Sequence, residues 1–104
     1  MGNYLLVYTG GSEPTSEEEG KAVMDAWTAW FTALGDAVAD PGNPFGPSAT
    51  IAADGSASDG GASGHTGYSI LRADDLAAAT ELAKGCPHLA AEGSIEVYET
   101  FDVM

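Results

Sequence analysis

Short strand-like runs alternate along this chain with two segments of helical periodicity, and their order restricts the folds open to it. Residues 3–9 (NYLLVYT) are rich in aromatic and β-branched types and predict a strand. Ser16, three residues before Glu19, predicts a helix N-cap. From there apolar residues recur at helical spacing to about Asp40, which predicts one long helix with an aromatic face.

The second half of the chain repeats this alternation after a glycine-rich tract. Residues 48–53 (SATIAA) predict a weak strand, and residues 54–67 (DGSASDGGASGHTG) predict a loop. Residues 67–73 (GYSILRA) predict a clear strand. A second helix follows over 76–84 (LAAATELAK), and residues 94–101 (SIEVYETF) predict the last strand. Asp74 or Asp75 is the expected N-cap of this helix.

The resulting order, β-α-β-β-α-β, predicts an α+β, ferredoxin-like fold with a four-stranded antiparallel sheet and both helices on one face. The opposite sheet face would then be bare. Because a bare apolar face commonly packs against an identical subunit, we expect a homodimer that forms an α+β barrel with a cavity between the two sheets.

Length and charge narrow the class of protein further. At 104 residues we expect a single domain over residues 1–104. Sixteen acidic residues against three basic ones give a net charge of −13, which disfavours nucleic acid and anionic membrane surfaces as partners. This acidity reflects solubility, adaptation to salt or an acidic docking surface.

The expected cellular location rests on two kinds of segment, a membrane span and a signal peptide, that the sequence does not show. No apolar run is long enough to span a membrane, and the start MGNYLLVYTGG lacks the basic residues of a signal peptide. A single cysteine cannot form an internal disulfide, which fits a reducing compartment. We therefore expect a cytoplasmic protein.

The sequence Cys86-Pro87-His88 brings together the only cysteine and one of two histidines. One interpretation is a ligand site, in which Cys86 is a thiolate nucleophile activated by the imidazole or a ligand contact, and His88 acts as a general acid/base or contacts the ligand. The other is structural: Pro87 ends the helix, and Cys86 is a small buried hydrophobe. A helix C-terminus disfavours a thiolate and favours an imidazolium, which makes His88 the better candidate.

Three further residues are candidate ligand contacts. Trp27 and Trp30 lie on the aromatic helix face, where they either stack on a ligand or belong to the core. Asn43 in GNPFG either lines a pocket or only forms a turn. The aspartates of the glycine tract lack the spacing of a calcium loop, and His65, Cys86, His88 and a carboxylate lack the close-spaced ligand pair of a zinc site, so we expect no metal and no cofactor.

Several of these segments together resemble the YCII-related family of small bacterial proteins. The likeness rests on the strand YLLVY, on NPFG after the long helix, and above all on GYSILRADDLAAATELAKGCPHLAAEGSIEVYE. The resemblance implies a ferredoxin-like subunit in a dimeric α+β barrel, with a pocket between the first helix and the turn after the second. A His–Asp pair proposed as catalytic in some members has no counterpart here, since Trp27 and Cys86 stand at the matching positions.

Three functions are compatible with these features. The first is a small-molecule-binding or sensing module with a cavity at the dimer interface. The second is a small isomerase- or hydrolase-like enzyme that uses His88 as general acid/base. The third is a structural or interaction module without a ligand. The position of His88 distinguishes them, because a histidine in bulk solvent would leave the enzyme without a base.

Overall fold

A computed structural model describes residues 2–61 and 64–103 and shows an α+β fold with two layers. The strands are β1 Gly2–Gly10, β2 Val38–Asp40, β3 Ala49–Ile51, β4 Ala57–Asp59, β5 His65–Ala73 and β6 Gly93–Glu99, and the helices are α1 Glu17–Leu34, α2 Leu76–Ala83 and α3 Pro87–Ala90. Four strands form an antiparallel sheet in the order β2-β5-β1-β6. The molecule measures 44 × 39 × 18 Å, so its thinnest dimension holds one sheet and one helical layer.

The core lies between the helices and one face of the two central strands. Leu6 of β1 and Leu71 of β5 are fully buried there, against Trp30 of α1 and Ala83 of α2. Side chains alternate between the faces of a strand, so the even-numbered residues of β1 point toward the helices. Complete burial of one leucine contributes about 1.5–3 kcal/mol, and these two anchor the sheet to both long helices.

The predicted helix starts are confirmed. The backbone N–H of Glu19 donates to Ser16 Oγ at 3.1 Å, and three glutamates fill the first turn of α1, where the helix dipole favours negative charge. The N–H of Ala78 donates to Asp75 Oδ1 at 2.8 Å, so Asp75 rather than Asp74 caps α2. Both caps satisfy N–H groups that a helix cannot pair internally.

The first helix ends earlier than its apolar periodicity predicts. It stops at Leu34, a short 3-10 turn follows over Gly35–Ala37, and Val38–Asp40 form an edge strand of the sheet. Gly35 has φ +56°, a left-handed conformation that ends helices. Val38 pairs with Leu71, and burial of the sheet edge replaces the helical pattern at this point.

The glycine-rich region was predicted wrongly in two respects. The strand around Ile51 exists, but it pairs with β4 in a separate hairpin, and β2 occupies its expected place in the main sheet. The predicted loop over 54–67 contains β4 and the first residues of β5. Residues 62 and 63 of that loop lie outside the described residues.

The Cys-Pro-His segment is also more ordered than the turn that the sequence predicts. Pro87 occupies the first position of α3, where its missing N–H costs no hydrogen bond. Within the described residues, no helix is long and apolar enough to cross a bilayer.

Candidate functional site

A cavity of about 390 Å³ lies between α1 and the helix-facing side of the sheet, bordered by the segment that follows β2. The expected cavity between two sheets would lie on the other side of the sheet. Among the described residues that border the cavity, none is aspartate, glutamate, lysine or arginine. The residues that border it include Tyr8, Trp27, Phe31, Asn43, Ser69 and His88.

An aromatic cluster forms one wall of the cavity. Tyr8 meets Trp27 edge to face, with ring centroids 5.3 Å apart, and its ring centroid also lies 5.2 Å from that of His88. Trp27 also meets Phe31, one helical turn further along α1, at 5.7 Å. These distances fall in the range in which aromatic rings attract one another, so the wall is held by its own packing.

His88 joins this wall through α3 and is anchored to β1. Its Nε2 lies 3.0 Å from the backbone oxygen of Thr9. Because a carbonyl oxygen only accepts, Nε2 carries the proton, and in the neutral ring Nδ1 holds a lone pair. Nδ1 has no hydrogen-bond partner among the described residues. His88 therefore borders the cavity with a ring whose second nitrogen is not engaged by any described residue.

Two glycines make room for the His88 ring. A Cβ atom at Gly93, the first residue of β6, would overlap the imidazole. A Cβ atom at Gly11 would lie 2.8 Å from its Cε1, closer than real carbon atoms approach, and Gly11 has φ +96°. The backbone of both glycines therefore packs closely against the ring, and only residues without a side chain leave room for it.

The hydroxyl of Tyr8 belongs to a buried hydrogen-bond chain. It donates to Ser69 Oγ at 2.7 Å, and Ser69 in turn donates to the backbone oxygen of Pro41 at 2.7 Å. Burial raises the pKa of Tyr8, so its phenol stays neutral. The chain fastens the segment after β2 to the centre of the sheet, and it leaves neither hydroxyl activated as a nucleophile.

Trp30 and Cys86 do not reach the cavity. They are 8% and 3% exposed and pack with Leu6 and Leu71 in the core. Burial raises the pKa of the Cys86 thiol to about 11, so the thiol is protonated at neutral pH. The cause is burial rather than the helix C-terminus invoked from the sequence. Although only one residue separates them in the chain, Cys86 and His88 are directed to different places.

Asn43 lies on the cavity rim, as a ligand contact would. Its backbone oxygen accepts a hydrogen bond from Tyr68 N at 3.3 Å, and its exposed side chain makes no hydrogen bond within the described residues. The preceding Gly42 has φ +74°, and a Cβ atom there would collide with the Tyr68 carbonyl. Asn43 thus serves a turn through its backbone and leaves its amide group free.

Sequence reasoning missed Tyr8 and the two glycines around His88. The sequence predicts only that Tyr8 belongs to a strand, and no neighbouring residue indicates that its ring contacts Trp27 and His88. The glycines approach His88 from opposite ends of the chain, so only the strand pairing of Gly10 with Gly93 reveals their shared role. Within the described chain, no group of three or more potential metal ligands comes together.

Comparisons with protein-family models, with curated proteins and with solved structures find no match to this chain.

Proposed function

We propose that this chain is a ligand-binding or sensing subunit whose cavity between α1 and the sheet holds a small molecule. The observation that carries the proposal is the wall itself: packed aromatic rings beside His88, whose Nδ1 has no hydrogen-bond partner among the described residues. Small-molecule sites are typically concave and mostly apolar, with a few polar groups that set orientation, and 390 Å³ falls within their usual range.

We propose further that the subunit is ferredoxin-like and pairs with a second copy through its open sheet face. In register across three strands, Leu5 lies between Ile70 of β5 and Tyr98 of β6. These residues face away from the helices, and Tyr98 is 47% exposed. An apolar row of this kind supports a dimer. The resemblance to the YCII-related family agrees with this assembly and stays a prediction.

The binding proposal is tested by filling the cavity. Val23 of α1 borders it, whereas the neighbouring Ala22 is exposed and does not. We expect native mass spectrometry of protein purified from its own cells to detect a bound small molecule in the wild type and in Ala22→Phe. Val23→Phe should lack it, because the added ring occupies the cavity. A bound molecule retained equally by both variants would contradict the proposal.

A second candidate function is catalysis with His88 as the general base, favoured by the Nε2–H tautomer that leaves Nδ1 basic. The substitution His88→Gln separates the two. Its amide can still donate to Thr9 O but offers no basic nitrogen. If the protein is an enzyme, His88→Gln should retain the bound molecule but no longer convert it to a product. If His88 only binds the molecule, the wild type should not convert it either.

A further inference from the structure

The net charge of the protein and the lack of Asp, Glu, Lys and Arg among the described residues that border the cavity restrict the chemical class of ligand that the cavity can bind. The chain carries three basic residues, and none of them borders the cavity. Lys84 pairs with Glu81 at 2.6 Å, and Arg72 donates to the backbone oxygen of Asp36 at 2.9 Å. An anionic ligand would therefore meet no lysine or arginine at the cavity and a protein of net charge −13 around it.

The cavity wall instead suits a positive charge of a particular kind. Aromatic rings attract cations through their electron-rich faces, and Tyr8, Trp27 and Phe31 meet at this wall. No carboxylate borders the cavity within the described residues. A strongly hydrated primary ammonium would lose its water there without gaining an anionic partner among the described residues. A cation that is weakly hydrated, because its charge is alkylated or delocalised, avoids that cost.

From these observations we infer that the cavity takes a weakly hydrated organic cation, such as a quaternary ammonium or an N-alkylated heteroaromatic ion. The inference rests on the proposed function and adds the chemical class of the ligand. Such an ion would lie against the Tyr8–Trp27–Phe31 wall.

Three probes of one shape and different charge test the inference. Phenyltrimethylammonium is a cation, tert-butylbenzene is its neutral isostere, and benzenesulfonate is an anion with a similar tetrahedral substituent. Calorimetric titration of the full chain at about 0.15 M salt should give a dissociation constant about three- to tenfold lower for the cation than for the neutral isostere. Benzenesulfonate should bind most weakly.

Variants at Trp27 identify the source of this preference. Trp27→Phe keeps an aromatic face and should keep the ratio between the two dissociation constants, whereas Trp27→Leu should bring the ratio toward one. A general loss of packing would weaken both probes alike and leave the ratio unchanged, and circular dichroism checks that both variants fold. The preference should persist at about 1 M salt, where long-range attraction is screened.

The outcomes separate this inference from the proposed function. If the neutral isostere or the anion binds as tightly as the cation, or if about 1 M salt removes the preference, the cavity binds small molecules but the cation inference is wrong. If none of the three probes binds, and Val23→Phe and Ala22→Phe behave alike, the binding function fails with it.

Discussion

His88 owes its place at the cavity to two residues that have no side chain. Its ring packs closely against Gly11 and Gly93, and its Nε2–H donates to Thr9 O. The hydrogen bond sets the tautomer, and the two glycines leave the space that the ring occupies. Cys86, two residues earlier in the chain, lies in the core instead, where its thiol is buried.

A methyl group at Gly93 should displace the His88 ring. We expect Gly93→Ala to lower the free energy of unfolding by about 1–3 kcal/mol, as overpacked sites commonly do, and to weaken binding at the cavity. The matched control is Gly46→Ala, since a Cβ atom there meets nothing within 4 Å and the backbone is not in a left-handed conformation. Urea denaturation of the two variants measures the difference. Equal stability would show that the ring moves aside without cost.

The contrast between Cys86 and His88 gives a second prediction. Cys86→Ala should lower the free energy of unfolding by about 1 kcal/mol, because it removes one buried sulfur, and should leave ligand binding intact. His88→Ala should preserve the fold and weaken binding. Thermal unfolding and calorimetric titration of both variants provide the measurements. Loss of binding in Cys86→Ala together with normal binding in His88→Ala would reverse the assignment.

Titration of Cys86 predicts how stability depends on pH. Burial raises the pKa of this thiol from 9.0 to about 11, so the folded protein holds the proton more tightly than the unfolded chain. Its contribution is complete below pH 9 and is lost as the pH rises through 11. We expect the free energy of unfolding, measured by urea titration, to fall between about pH 9 and about pH 11, and to fall less in Cys86→Ala. Burial also raises the pKa of Tyr8, so part of the slope should remain. An unchanged slope in Cys86→Ala would mean that this thiol does not contribute.

At the scale of elements, the hairpin of β3 and β4 differs from the rest of the fold. All six of its strand residues are exposed, and Ile51 is 72% exposed. It pairs with no strand of the main sheet within the described residues. A two-stranded hairpin without further packing is only marginally stable in water, whereas β1 is paired on both sides and buried on one face.

Amide exchange should reveal this difference between elements. We expect the paired amides of Ala49–Ile51 and Ala57–Asp59 to exchange much faster than those of Leu6 and Leu71, because local opening of the hairpin exposes little apolar surface. Hydrogen exchange followed by mass spectrometry at low and high protein concentration is the measurement. Equal protection of the hairpin and β1 in a dilute, monomeric sample would contradict the prediction.

At the scale of the whole molecule, the net charge opposes the assembly that the open sheet face favours. Two copies of charge −13 repel each other, and salt screens that repulsion. In the proposed dimer the row of Leu5, Ile70 and Tyr98 would supply an apolar contact, whose strength depends little on screening.

The balance predicts an assembly that depends on salt. We expect a dimer at micromolar concentration in about 0.15 M salt and weaker association at about 0.01 M. Light scattering after size exclusion measures the mass, and Leu5→Lys, which adds a charge to the open face, should give a monomer. A wild-type monomer at moderate salt would show that this face is not an interface between copies.

The helix starts and the central strands could be predicted from the sequence, because short-range interactions determine them. The start of α1 at Ser16, the cap of α2 at Asp75 and the two central strands follow from capping chemistry and periodicity within a few residues. The aromatic face of α1 could also be predicted from the spacing of its residues, and the acidity that disfavours anionic partners follows from the composition.

The tertiary structure decided the features that depend on distant pairing. Val38–Asp40 continued the helical pattern in sequence, yet they became a strand because the edge of β5 offered hydrogen bonds and burial. Trp27 and Trp30 share one stripe, but the sheet beneath them places Trp30 in the core and Trp27 at the cavity. The close packing against His88 requires Gly11 and Gly93, which lie far apart in the chain and meet only because β1 pairs with β6. Such contacts carry no local signal, since their energy comes from burial and pairing between segments that the order of residues does not place together.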